Sequence, residues 1–114
     1  MAITINRAQL VNLALDELQV TGVGQTAAIE DYDKVDGEID GLFARLAADE
    51  IVSIQDDDAI PIAIAEHLGE LLAERCAKSF GKQRDPQLRA EMEERIQRIV
   101  ASRPTYEPLI GSYY

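Results

Sequence analysis

The sequence predicts an all-α fold, a small bundle of about four helices followed by an extended C-terminal arm. Apolar residues recur at steps of three and four in four separate segments, which is the spacing of one helix face. Aromatic residues make up only 5% of the 114 residues and tryptophan is absent, so the core must be built from Leu, Ile, Val and Ala. We expect one helical domain over residues 1–101 and the arm over residues 102–114.

The first helix is predicted over residues 6–18. Asn6 is a good N-cap and Gln9 stands at N3, so the two side chains can form a reciprocal capping pair. The apolar face that follows comprises Leu10, Val11, Ala14, Leu15 and Leu18. The next stretch, "QVTGVGQT", contains two glycines and several β-branched residues, which predicts a loop.

The second helix is expected over about residues 27–48. Its apolar stripe consists of Ile29, Tyr32, Val35, Ile39, Leu42, Phe43 and Leu46. The opposite face is acidic and carries Glu30, Asp31, Asp33, Asp36, Glu38 and Asp40. Gly37 and Gly41 lie inside this helix, where each weakens it by about 1 kcal/mol relative to Ala. Their spacing of four predicts an edge that another backbone can approach closely.

An irregular connection is predicted before the third helix, with a short extended piece at Ile51–Ile54. Three consecutive aspartates then precede the helix, where negative charge favours the N-terminal end of the helix dipole. The third helix is expected from about Pro61 to Phe80, and Gly81 occupies the position of a C′ glycine.

The fourth helix is predicted to begin at Asp85 and Pro86, as N-cap and first helical residue. Its stripe runs to about residue 101 and comprises Leu88, Met92, Ile96, Ile99 and Val100. Pro104 then disfavours the helical conformation for Arg103, so the chain is expected to continue in an extended form.

The net charge of −10 arises entirely in the first half of the chain. Residues 1–58 carry 13 acidic and three basic side chains, whereas residues 59–114 carry eight of each. Tight nucleic-acid binding requires a basic stripe that displaces counterions from phosphate, so this class of function is disfavoured. An acidic surface would instead let DNA pass without sticking.

Several compartment signals agree with synthesis in a cytoplasm. There is no run of 18 apolar residues that predicts a membrane span. The first ten residues lack the basic and apolar regions of a signal peptide. The single cysteine, Cys76, has no internal disulfide partner and fits a reducing compartment.

No residue set predicts catalysis, cofactor binding or a metal site. The segment "DGEIDGLFARLA" resembles the start of a calcium loop, but Ala47 stands where a bidentate Glu is needed, which favours an ordinary acidic helix face. His67 has Glu70 and Glu74 at helical spacing, yet zinc sites usually require three or four ligands from more than one element. Cys76 lies in an apolar stripe, where a cysteine is usually a small hydrophobe.

The segment "RPTYEPLIGSYY", residues 103–114, has the composition of an interface. It holds three of the four tyrosines and two of the four prolines. Aromatic and aliphatic anchors are typical of interface cores, and prolines lower the entropy that an extended chain loses on docking. The alternative is that this segment folds back on its own domain and covers a groove along the fourth helix.

The order of these parts resembles that of the head-to-tail adaptor (connector, neck) proteins of tailed bacteriophages. The resemblance rests on "RAQLVNLALDELQVTGVGQT", the acidic second helix, "IPIAIAEHLGELLAERCAKSFG", "EMEERIQRIVASRPTYEPL" and the aromatic close. It is strongest for the adaptors of short-tailed phages that stabilise packaged DNA, and it covers almost the whole chain.

This resemblance implies a structural virion protein of the neck, between capsid and tail, made in the host cytoplasm. Adaptors of this type form a ring, here expected to have twelve copies, beneath the portal protein. They help to retain packaged DNA and offer a docking surface to tail or nozzle proteins. Genomic DNA would pass through the ring without specific binding, and no cofactor or membrane partner is implied.

In that family the C-terminal extension contacts the portal. The resemblance therefore assigns portal binding to Arg103, Pro104, Tyr106, Pro108, Leu109, Ile110, Tyr113 and Tyr114. Combined with the charge asymmetry, it also predicts an acidic surface facing the lumen or the tail, formed by Asp33, Asp36 and Asp40.

Other functions remain open on the residues alone. One is a different phage neck or tail-completion protein, or another helical binding module. A peptidoglycan hydrolase is a further alternative, because some adaptors of this type are credited with cell-wall hydrolysis, although no hydrolase motif occurs here.

Overall fold

A computed structural model describes residues 3–18 and 29–101 of the chain. Within these ranges the chain forms four α-helices: α1 (Arg7–Leu18), α2 (Ile29–Ala48), α3 (Ile62–Cys76) and α4 (Pro86–Ala101). The predicted all-α class is confirmed. The predicted arm, residues 102–114, and the whole of the predicted loop after α1, residues 19–26, lie outside the described residues.

The first turn of α1 is closed by the predicted capping pair. The backbone N–H of Gln9 donates to Asn6 Oδ1 at 2.8 Å, and the backbone N–H of Asn6 donates to Gln9 Oε1 at 2.9 Å. Two of the N–H groups that a helix start leaves unpaired are thereby satisfied.

The helix α3 occupies the centre of the domain. It packs against α1 on one side, against α4 on another and against α2 on a third. Its side chains Leu68 and Leu72 are completely buried. They join Leu10 of α1, Ile39 of α2 and Ile96 of α4 in one continuous hydrophobic core, so the stripes predicted from helical spacing meet along α3.

The predicted ends of α3 and the predicted start of α4 are both confirmed. A 3₁₀ turn, Ala77–Phe80, continues α3, and Gly81 follows with a left-handed φ of 75°, a conformation that glycine adopts without steric cost. At the start of α4, the backbone N–H of Leu88 donates to Asp85 Oδ1 at 3.1 Å. The tight connection places the N-terminal turn of α4 beside the end of α3.

The connection before α3 is irregular, as predicted, and no strand is assigned at Ile51–Ile54. Ile51 and Val52 are buried in it. Two short strands, β1 (Thr4–Ile5) and β2 (Ile60–Pro61), pair antiparallel. The sequence does not predict them, because a ladder of two residues is too short to produce a recognisable alternation.

The edge predicted at Gly37 and Gly41 has an internal use at one of its two positions. A methyl group added at Gly41 would lie 2.6 Å from Nη2 of Arg75, a residue of α3 in the same chain. The space at Gly41 therefore accommodates a guanidinium group. Gly37 is exposed, and a methyl group added there would meet no atom within 4 Å.

None of the helices in the described ranges combines the length and the apolar character needed to cross a bilayer.

Substituting Gly37→Ala should stabilise the isolated chain by about 0.5–1 kcal/mol, because alanine removes the entropic penalty of glycine in an exposed helix interior. Urea unfolding followed by circular dichroism measures the change.

The matched control is Gly41→Ala, which is expected to gain less because its methyl group would displace the Arg75 guanidinium. A loss of stability in the Gly37→Ala chain would contradict the open space seen around that position.

Candidate functional site

A single arginine joins three parts of the chain. Arg7, the first residue of α1, donates from Nε to Asp36 Oδ1 at 2.7 Å, and from Nη1 to Asp40 Oδ1 at 2.9 Å and Asp57 Oδ2 at 2.7 Å. Its Nη2 donates to the backbone oxygen of Asp36 at 2.9 Å. We call these four residues the Arg7 clasp, because it ties α1, α2 and the 55–58 connection together.

The clasp has a clear electrostatic consequence. The hydrogen bonds to Asp36 and Asp40 raise the pKa of the Arg7 guanidinium, while partial burial opposes the shift. The backbone N–H of Arg7 also points toward Asp58 Oδ1, at 3.4 Å. One positive charge thus faces several carboxylates, and it holds them close together despite their mutual repulsion.

The clasp gives one of the three consecutive aspartates a role that the sequence did not predict. The sequence predicts only that their charge favours the start of α3, and α3 begins after Pro61 with no side-chain cap. Asp57 forms an ion pair with Arg7 and so holds the connection against α1. Asp56 instead accepts a hydrogen bond of 2.9 Å from the backbone N–H of Asp58.

The predicted acidic surface divides into two kinds of residue. Asp36 and Asp40 belong to the clasp, whereas Asp33 is exposed and forms no ion pair among the described residues. Two of the three carboxylates therefore have a structural partner within the chain. That the three face a lumen or a tail remains a prediction.

The sequence does not predict that one acidic residue, Glu74, is buried. Glu74 of α3 is only 5% exposed. It accepts two hydrogen bonds of 2.8 Å from Arg84 and one of 3.1 Å from the backbone N–H of Asp85. These bonds, the Arg84 pair first, lower the pKa of the Glu74 carboxyl. The pair fastens the 82–85 connection to α3.

This pairing also changes the surroundings of His67. Glu74 was considered as a possible metal-ligand neighbour of His67, but its oxygens are occupied by Arg84 and Asp85. His67 is half-buried, and its Nδ1 makes no hydrogen bond within the described part of the chain. Across residues 3–18 and 29–101, no group of three or more metal-ligating side chains converges.

Cys76 is buried, as its place in an apolar stripe predicted. Burial, followed by the negative charge of Glu38, raises the pKa of the thiol to about 11. The thiol is therefore protonated at neutral pH, which makes it a poor nucleophile.

A second acidic surface was not recognised from the sequence. Glu17 of α1 lies near Glu66 and Glu70 of α3, with Asp16 beside it. Partial burial and then these three carboxylates raise the pKa of Glu17. None of the four forms an ion pair with a basic side chain of the described residues. We call this set the α1–α3 acidic face.

The residues assigned to portal binding by resemblance lie outside the described residues. They are Arg103, Pro104, Tyr106, Pro108, Leu109, Ile110, Tyr113 and Tyr114.

Comparison of the chain with protein-family models, with curated proteins and with solved structures finds no match in any of the three.

Replacing Arg7 by alanine should destabilise the chain by about 1.5–3 kcal/mol, the range for hydrogen bonds to charged groups, because Asp36, Asp40 and Asp57 would lose their shared cation. The free energy of unfolding in urea measures the loss, which should diminish at high salt as repulsion is screened.

Arg98→Ala serves as the control, because its pair with Glu94 is exposed on both sides and should contribute less than about 0.5 kcal/mol. Equal effects of the two substitutions would show that the clasp has no special role in stability.

The Glu74→Gln variant should be less stable than the natural chain by about 1–3 kcal/mol at neutral pH. Because the folded-state pKa of Glu74 is lowered, its contribution is complete above the ordinary value of 4.5 and is lost as pH falls through the folded-state value.

The stability difference between the two chains should therefore shrink below about pH 4.5, when urea unfolding is repeated across a pH series. Glu94→Gln, at an exposed position, should show almost no difference at any pH. A Glu74→Gln effect that stays constant down to pH 2 would rule out the proposed linkage.

Proposed function

We propose that the chain is a subunit of the head-to-tail adaptor ring of a tailed bacteriophage. In this proposal it binds beneath the portal through residues 103–114, contacts neighbouring copies of itself, and offers a docking surface to tail or nozzle proteins. The proposal rests on the order of sequence segments described above, and the arrangement of charge on the helical domain supports it.

The observation that carries the proposal is the unpaired acidic edge of α2. Val35, Ile39 and Leu42 of this helix are buried in the core. On its outer side Glu30 and Asp33 are exposed, and neither forms an ion pair among the described residues. Glu30 lies in the first turn of α2, where negative charge favours the helix dipole, whereas no ion pair of the described residues accounts for Asp33.

Such an edge is suited to a surface past which DNA moves. Duplex DNA carries one negative charge for about every 1.7 Å of its axis. Carboxylates repel these phosphates and prevent the tight contacts that a basic surface would make. A ring lined by this edge would guide the genome without binding it.

The composition of the arm supports its assignment to another protein. Residues 103–114 hold three of the four tyrosines together with Leu109 and Ile110. Aromatic and aliphatic side chains of this kind match the anchors of protein interfaces.

Deleting residues 103–114 should leave the helical circular dichroism and the urea midpoint nearly unchanged, but weaken binding to the portal ring of the same virus by about 100-fold or more. Loss of two or more aromatic anchors accounts for this magnitude. Sedimentation of the chain with and without the purified portal measures recruitment.

A deletion variant that unfolds would assign the arm to its own core and contradict its assignment to the portal. Asp33→Lys is the control that separates the two roles, since it should bind the portal normally and slow DNA ejection. It is preferable to reversing Asp36 or Asp40, because those changes would also break the Arg7 clasp.

The enzymatic alternative has a direct test. Clearing of peptidoglycan in a zymogram, abolished by a single Glu→Gln substitution, would replace the structural function with a hydrolytic one.

A further inference from the structure

One corner of this acidic protein is strongly basic. Residues 77–89 contain Lys78, Lys82, Arg84 and Arg89 but only one acidic residue, Asp85, in a chain whose net charge is −10. We call the four basic residues the basic corner.

The backbone and one ion pair hold these side chains around the end of α3. The 3₁₀ turn and the left-handed Gly81 reverse the chain, and the backbone N–H of Lys82 donates to the oxygen of Ala77 at 2.9 Å. The pair with Glu74 fixes Arg84. A further cation lies nearby, with Lys34 Nζ 5.3 Å from the centre of the Phe80 ring.

Most of this positive charge is unused within the chain. Lys78 and Lys82 are exposed, Arg89 is half-buried, and none of the three forms an ion pair in the described ranges. Arg89 lies in α4 and lowers the pKa of Glu74 through its charge, but no contact within the described residues accounts for the charges of Lys78 and Lys82. They form a surface that an acidic partner can recognise.

The same chain carries a surface of complementary charge, the α1–α3 acidic face. Partial burial first, and then the negative charges of Glu70 and Glu66, raise the pKa of Glu17, so these carboxylates lie close enough to repel one another. A cation supplied from outside would relieve this repulsion.

No ion pair joins these two surfaces within the described part of one copy. Along α3 and its 3₁₀ extension, Lys78 follows Glu70 by eight residues and Glu66 by twelve, which corresponds to about 12 Å and about 18 Å at 1.5 Å per residue. A contact between two molecules can bring the opposite charges closer than this. Because the two patches differ, this contact is heterologous, the type that closes into rings or extends into filaments.

We propose that the basic corner of one copy binds the α1–α3 acidic face of the next copy, head to tail. This inference rests on the proposed function in taking a neighbouring copy as the partner. Nucleic acid suits the basic corner less well, because the overall charge of −10 repels phosphate and the patch is small.

The contact can be trapped covalently with a zero-length carbodiimide, which joins lysine amines to carboxylates. An equal mixture of ¹⁴N- and ¹⁵N-labelled full-length chains is treated, both alone and on the purified portal ring, and analysed by mass spectrometry. We expect mixed-isotope peptides in which Lys78 or Lys82 of one copy is joined to Glu66 or Glu70 of another. The lysine in each cross-linked peptide is easily identified, because Lys34 is the only other lysine in the sequence.

Charge reversals that leave the reacting groups in place test the specificity. Arg89→Glu and Glu17→Arg should each lower the yield of these cross-links about tenfold, because each places like charges across the contact. The double variant should restore the yield. Arg98→Glu makes the same charge change as Arg89→Glu on an exposed part of α4, and should have no effect.

Three results would overturn the inference: no mixed-isotope cross-links, cross-links mainly to other carboxylates such as Asp33, or a folded double variant that does not recover. Binding of a short DNA duplex at physiological salt that protects Lys78 and Lys82 would also overturn it. If the chain binds the portal but gives none of these cross-links, only this contact is rejected. If the cross-links form but the chain does not bind the portal, the neck function is rejected and the contact is retained.

Discussion

Burial of α3 among the other three helices is the constraint on which the rest of the structure depends. A helix packed on three sides has little surface left for solvated side chains, so its apolar residues must fit closely. At Gly69 a methyl group would lie 3.0 Å from Cβ of Leu13, which shows how near α1 approaches. The same packing buries Glu74, and a buried carboxylate requires partners. The Arg84 pair and the backbone of Asp85 supply them, and this fixes where α4 begins.

The charged side chains on the surface of the described residues fall into two classes. Some carboxylates stabilise the fold, as Asp36, Asp40 and Asp57 do around Arg7. Others, such as Asp33 and Glu17, have no ion-pair partner among the described residues and increase the electrostatic self-repulsion of the folded chain. Carboxylates of the second class are the ones available for a partner or for repelling DNA.

Local signals in the sequence were sufficient for most of the fold. The Asn6–Gln9 pair, Gly81 and Asp85 marked helix ends because each acts within one turn of its own backbone. The Arg7 clasp could not be predicted in this way, since its ion pairs join residues 29 to 50 positions apart in the chain. Pairing at such separations depends on how helices cross, which no local pattern encodes. For the same reason the α1–α3 acidic face became visible only when two helices were placed side by side.

The proposed ring must balance two electrostatic effects with different ranges. A net charge of −10 on each copy repels other copies at distances up to the Debye length, about 8 Å at physiological ionic strength. Attraction between the basic corner and the acidic face is screened over the same length, and it exceeds the repulsion only when the two patches face each other at short range. Copies that are free in solution therefore meet repulsion before attraction. Docking of residues 103–114 on a common portal would hold neighbouring copies at contact distance, where the local attraction exceeds the repulsion and the copies bind each other. In this scheme the arm determines when the ring forms, and the charged faces determine which surfaces of neighbouring copies meet.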